Sequence, residues 1–533
     1  MRTDRPCMVT LSLACVLVCA FGVQRMSFAG AISAYNSVDR LPKIHPDYSS
    51  TVVPPNIAPL NFVIRESGSA YRVRIHSARG TAIEISSRSP KIAIPQRPWR
   101  ELLEKNCGGQ LSFEVSLKAA GSDSPSRSDE QWSRFSSFQV EIARDAVDGF
   151  LVYRKIQPAA GAWGSMGIYQ RNLENFGESL VLNNGYLADG CLNCHTFCNN
   201  HTDKMLIGIR SGEYGSSALL IAGDVVNKIG TKFGYCSWHP SGKVVAYSIN
   251  KVTQFFHSSR DEVRDVIDLD SLLAYYLVDS QSVKTSPSIA KKDRLESYPA
   301  WSADGRYLYF CSAPLSWKDR GVLPEHYDQI KYDLMRVSYD LDRDQWGQTE
   351  TVLSATETGK SILLPRISPD GRWLLFCMCD YGCFPVYQSS SDLYIMDLAA
   401  AEEKGSYEYR RLAINSDQSE SWHSFSSNGR WIAFSSKRQS GAFTRCYLSY
   451  IDEEGDTYKP IVLPQKDPTY YDSCLWTYSV PELVSEPVRM RKEKLGRVVR
   501  GSGKISVDMP ITMATPRAGQ LPTHEEPWLG GRE

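Results

Sequence analysis

The chain has no net charge to steer it. Over 533 residues, 60 Lys and Arg face 60 Asp and Glu. That balance excludes a global electrostatic pull toward nucleic acid or anionic lipid. After residue 30 the sequence also lacks an apolar run long enough to span a bilayer as a helix. Two enzyme signatures are missing as well, the G-x-S-x-G serine elbow and the H-E-x-x-H zinc helix. What the chain does have is a 42% hydrophobic share and 11% aromatics, enough for a sizeable core and leaning toward β structure.

Residues 1–29 read as a signal peptide rather than part of the fold. Arg2 and Arg5 give a positive start, Val9 to Val23 is apolar, and Ser27-Phe28-Ala29 offers small residues at a cleavage site. An uncleaved anchor, or lipidation at Cys15 or Cys19, is the alternative. The expectation is a periplasmic or exported protein with no spanning segment after the signal. Fourteen cysteines are present, and export would permit disulfides. Cys377, Cys379 and Cys383 form C-x-C-x3-C with no fourth soft ligand nearby. Buried thiols or a local disulfide are favoured there over a metal site.

Residues 31–150 carry short β-rich runs separated by turn residues: 60–65, 71–76, 81–86, 111–117 and 138–142. Tyr71-Arg72-Val73-Arg74-Ile75 alternates with period two, as a half-buried strand does. Trp99 to Lys105 suits a short helix, and the polar stretch 121–129 a hairpin tip. The region reads as a small β-sandwich without a catalytic grouping.

Residues 151–202 contain Cys191-Leu192-Asn193-Cys194-His195. This is C-x-x-C-H, the attachment signature of a c-type haem. Two thiols reach two vinyl groups on one porphyrin edge, and the adjacent His lies under the iron as proximal ligand. A helical turn would put both sulfurs on one side. The expected cofactor is one covalent haem c on Cys191 and Cys194, with iron on His195. The segment is too short for a complete cytochrome domain, so the haem would sit in a seam between neighbouring domains. Met166 or Met205 could supply the distal ligand, and an open sixth site is the alternative. His201, His257 and His326 are further options, whereas His239 and His423 sit beside Trp in a repeat and read as structural.

The repeat is internal and fourfold. Ser237-Trp238-His239-Pro240-Ser241-Gly242-Lys243 is the first copy and Ala300-Trp301-Ser302-Ala303-Asp304-Gly305-Arg306 the second. Arg366-Ile367-Ser368-Pro369-Asp370-Gly371-Arg372 and Ser424-Phe425-Ser426-Ser427-Asn428-Gly429-Arg430 complete the set. A large apolar residue ends one strand, a tight turn follows, and a basic residue opens the next. Further strand runs follow each copy, which gives four strands per repeat and predicts propeller blades. These repeats resemble the WD40-like (PD40) repeats of TolB-type β-propellers over about residues 203–484. The combination with the C-x-x-C-H run resembles exported TolB-like proteins of Bacteroidetes labelled as cytochrome c-related.

The expected fold is therefore mainly β: an N-terminal β-sandwich, a short haem-attachment segment, and a TolB-like propeller of about five blades, with six as the alternative. Residues 485–533 are basic, then rich in Pro and Gly, and read as a disordered tail. The favoured function is an exported mono-haem c-type cytochrome that transfers electrons to, or senses redox state with, a docked periplasmic or envelope protein. The alternative is a non-enzymatic protein-binding platform, with a structural haem or none. A haem with an open site doing peroxidase-like chemistry is a third reading.

Overall fold

The repeated turns form as their residues dictate. Gly242, Gly305, Gly371 and Gly429 take φ of 67°, 75°, 79° and 70°, the left-handed region in which glycine pays no Cβ penalty. Two residues before each basic residue, a polar side chain accepts that residue's N–H: Ser241 at 3.2 Å, Asp304 at 3.0 Å, Asp370 at 3.1 Å and Asn428 at 3.1 Å. Serine and asparagine thus make the same turn as aspartate.

The computed structural model describes residues 35–119, 132–157, 164–257, 264–317 and 323–506. The signal segment, the polar stretch at 121–129 and the chain beyond 506 lie outside the described residues. Among the described residues no helix is long and apolar enough to cross a membrane.

Among the described residues, six four-stranded antiparallel sheets follow one another. Four of them start at the repeat copies, with first strands Cys236–Trp238, Arg294–Trp301, Ser361–Ile367 and Glu420–Phe425. The second sheet begins with Cys191–Cys198 and continues through His201–Ser211, Gly215–Ala222 and Val225–Ile229. The first sheet is composite. Phe150–Ile156, Met166–Asn172 and Glu178–Asn183 form three of its strands. The fourth, Thr477–Val484, arrives from the far end of the chain and pairs antiparallel with Phe150–Ile156.

This arrangement corrects the reading of 151–202 as a separate haem-bearing connector. Those residues supply three strands of one sheet and the first strand of the next. Among the described residues the four-stranded sheets number six, and only four repeat copies show in the sequence because two of the sheets lack the Gly turn that marks the repeats. In the second sheet Asn199 and Asn200, at φ 52° and 60°, make the turn that Asp-Gly makes elsewhere.

The amino-terminal region holds a seven-stranded and a three-stranded sheet. They share a core: Phe62 of the smaller sheet lies 6.3 Å from Phe113 and 6.4 Å from Phe138 of the larger. The predicted helix spans Gln96–Lys105 and buries Trp99, Leu102 and Leu103, and the Trp99 indole donates to the Ile57 carbonyl at 3.0 Å. This region seats on the sixth sheet. Trp431 donates to the Asp145 carbonyl at 3.0 Å, Tyr450 to the Asp145 carboxylate at 2.8 Å, and Asn428 to the Ala146 carbonyl at 2.8 Å. Trp431 is wholly buried there.

The tail is ordered as far as residue 506, which corrects the expectation of disorder from 485. Helix Lys492–Arg500 buries Leu495, Gly496 and Val499, and Lys228 reaches across to the carbonyls of Val499 and Gly501.

Candidate functional site

One edge strand of each of the six sheets borders a single chamber: Thr477–Val484 from the first sheet and the first strand of each of the others. Its lining comes from His195 and Thr196, Tyr235 and Cys236, Tyr298 and Pro299, Leu364 to Arg366, Trp422 and His423, and Val480 to Glu482. These positions correspond to one another. Tyr298, Leu364, Trp422 and Val480 all have positive φ, between 48° and 56°. Register shifts coincide with them at Ser297/Ala300, Leu363/Arg366 and Ser421/Ser424, and opposite Val480 at Val152/Arg154. The second sheet has its shift at Asn193/His195. Each is a β-bulge, which bends a strand and re-aims its side chains. A non-glycine residue held left-handed costs roughly 1–3 kcal/mol, so the chamber is ringed by strained backbone.

Aligned on these bulges, Cys194-His195-Thr196-Phe197-Cys198 falls on Trp422-His423-Ser424-Phe425-Ser426 and on Tyr298-Pro299-Ala300-Trp301-Ser302. The C-x-x-C-H run therefore occupies the place of another repeat copy. The signal was available in the sequence, as an aromatic two residues past the His followed directly by a small residue, and Asn-Asn where the other copies have a Gly turn.

His195 and His423 do the same work. Nε2 of His195 donates to the Val152 carbonyl at 3.3 Å, and Nε2 of His423 donates to the Leu375 carbonyl at 3.2 Å. In both cases the acceptor lies in the strand of the preceding sheet that pairs with its chamber-lining edge strand. Burial holds both imidazoles neutral and drives each value down to about 3, with the nearby Arg366 charge adding to the effect. They differ at Nδ1. That of His423 faces the Cys377 thiol at 3.7 Å, whereas that of His195 is buried without a partner. Arg366 and Glu482 form an ion pair at 2.5 Å at the wetter end, where Arg366 is about a third exposed (34%). Burial raises the Glu482 carboxyl and Arg366 opposes that rise. Tyr235, Tyr298 and Trp422 cluster with ring centroids 4.0, 5.8 and 6.4 Å apart.

As folded, the described side chains of this run are already committed elsewhere. The run lies in an extended strand rather than the expected helical turn. The His195 ring is 1% exposed and its Nε2 is taken by a carbonyl. The chamber beside it has about 40 Å³ of room for solvent, space for a few waters and not for a porphyrin. Cys191 turns into an apolar cluster with Leu187, Leu192 and Met166, and Arg210 donates to its sulfur at 3.6 Å. The amino-terminal sheets meet the rest at the sixth sheet, through Trp431 and its partners, and at the loop after Met166–Asn172, where the Ala58 N–H donates to the Leu173 carbonyl at 2.7 Å.

The expected distal ligands are likewise occupied. Met166 is buried, and its sulfur accepts the Leu192 N–H at 3.3 Å. Met205 is fully buried opposite Phe197. His326 is exposed, His257 lies 3.5 Å from Asp265, and His239 ties the third sheet to the fourth through the Gly305 carbonyl at 3.1 Å. Among the described residues no group of three or more His, Cys, Asp or Glu side chains is placed to hold a metal ion. Cys377, Cys379 and Cys383 are free buried thiols rather than a disulfide.

The fold and chamber define a propeller-like β protein with an axial site. No family model matches the chain, and no curated protein matches it. Solved structures similar to it include an oligogalacturonate lyase in complex with manganese, with 13% identity over 59% of this chain and 74% of that one and a TM-score of 0.33. A puromycin hydrolase matches at 16% over 59% of this chain and 45% of its own, with a TM-score of 0.33. Prolyl oligopeptidase B from Galerina marginata matches at 12% over 57% and 41%, with a TM-score of 0.33.

Proposed function

We propose that the protein is an exported, non-enzymatic binding platform, a six-bladed propeller carrying an amino-terminal β-sandwich, and that it functions without haem. One observation carries this reading. His195 is built as a bridge between two sheets, in the same way as His423, which no haem motif surrounds. Both chamber histidines are held neutral with Nε2 spent on a carbonyl, so neither is poised as a general base. A rigid ring of sheets presenting loops at both ends suits docking of a periplasmic or envelope protein.

The test is spectral. Purified from a host that makes c-type cytochromes, the full chain should show no Soret band and no pyridine haemochrome. A Soret band that persists after acid-acetone extraction would restore the electron-transfer reading and sink this one.

A further inference from the structure

We propose that helix Lys492–Arg500 and its flanks dock the protein, reversibly, on a bilayer surface that carries anionic lipid. This goes beyond the platform reading, which gives the molecule no orientation.

The balanced charge of the whole chain hides a local excess. Residues 486–506 hold seven Lys and Arg against two Glu, which leaves 53 basic and 58 acidic residues for the rest. Glu486, one of the two, is paired with Arg489 at 3.1 Å. The helix turns Leu495, Gly496 and Val499 inward. Lys494, Arg497 and Arg500, spaced three residues apart, fall on the opposite side and are exposed. Arg491 before the helix and Lys504 after it are exposed as well. Among the described residues no carboxylate pairs with any of these five cations. Lys494 donates to the Asp224 carbonyl, and Arg500 lies over the Tyr186 ring at 5.7 Å.

The groove alongside the helix is balanced in charge: Arg489, Arg491 and Lys494 share it with Asp203, Asp224 and Glu486. Glu213 stands near as well, since it and Arg500 both act on Tyr214. The excess lies on the outward helix face, where Glu493 is the helix's single carboxylate.

A bilayer suits this face better than a folded acidic partner. Protein hot spots are aromatic and Arg side chains packed into pockets. Here the cations are long, exposed and held by no acid, and Tyr186 lies beneath Gly496 and Arg500. Lipid headgroups diffuse to such charges and need no preset geometry. Val225, 57% exposed, follows Asp224, whose carbonyl Lys494 holds. An aliphatic group beside cations suits the headgroup boundary. The apolar face of the helix is already spent on the first two sheets, so the attachment is electrostatic, without insertion, and sensitive to salt.

Co-sedimentation with vesicles tests this, using the exported form from residue 30 so that the apolar run at 9–23 plays no part. At about 0.1 M salt the protein should bind vesicles of phosphatidylglycerol and phosphatidylcholine in equal parts, and not vesicles of phosphatidylcholine alone. Raising the salt to about 1 M should release it. Each cation near a charged surface contributes roughly fivefold, so Arg491→Gln with Arg497→Gln and Arg500→Gln should weaken binding by about a hundredfold. Glu493→Gln removes a repelled carboxylate and should strengthen binding about fivefold. That gain, confined to the anionic vesicles, is one that loss of fold would not produce. Equal binding to both kinds of vesicle, binding to neither, or an unmoved triple variant or Glu493→Gln overturns the proposal. Binding to polyglutamate without binding to vesicles also overturns it, in favour of an acidic protein surface. None of these outcomes touches the haem spectrum, so the platform reading is tested separately.

Discussion

His423 shows what a single buried imidazole does to stability. Its value falls to about 3 in the folded chain, from an ordinary 6.5, chiefly through burial. The unfolded chain therefore binds the extra proton between those limits, and stability is lost as pH falls from 6.5 toward 3. Replacing His423 with Gln should flatten the acid limb by about 1 kcal/mol per pH unit in that window. Thermal midpoints of wild type and variant from pH 7 to 4 check it. Using the difference between the two removes the opposing contributions of Asp268 and Glu482, whose carboxyls are raised by burial. The same scale shows where a short motif admits two readings. Cys191-Leu192-Asn193-Cys194-His195 satisfies a haem signature through five local residues, yet the strand around it fits the repeat. Local spacing could not decide between the two, because thiol direction depends on whether the run is helix or strand.

At the scale of elements, the sequence was most legible where turn chemistry is strict. The four Gly turns, the alternating strand at Ala70–His76 and the helix at Gln96–Lys105 are where the residues placed them. The helix Lys492–Arg500 was missed because its basic composition reads as a solvated tail, while its packing rests on Leu495, Gly496 and Val499. Gly496 is the contact that decides its docking. A Cβ there would come within 2.2 Å of the Tyr186 ring. Gly496→Leu should therefore lift the helix from the first two sheets at a cost of about 1–3 kcal/mol. Hydrogen exchange should show lost protection over 492–505, with the repeat strands unchanged.

On the scale of the whole molecule, the least legible feature was the pairing of Phe150–Ile156 with Thr477–Val484. No local period reports a partner more than three hundred residues away, so the first sheet lost its identity in the sequence and the sheet count came out short. The pairing also makes the ring a closed structure: Asn200 donates from its side chain to the Leu483 carbonyl at 2.8 Å, and Ser485 N–H to the Asn200 carbonyl at 3.1 Å. A chain ending at residue 476 should lose its single cooperative thermal transition and bind a hydrophobic dye, because the first sheet keeps an unpaired edge. A sharp melt near the wild-type midpoint would show that closure contributes little.

That late partner also sets a timetable for biosynthesis. Phe150–Ile156 leaves the ribosome long before Thr477–Val484 has been translated, and meanwhile one side of it has nothing to pair with. Nascent chains in this condition invite strand exchange with their neighbours. A holding chaperone would find its natural client window between those two moments, and the window shuts when the last strand arrives.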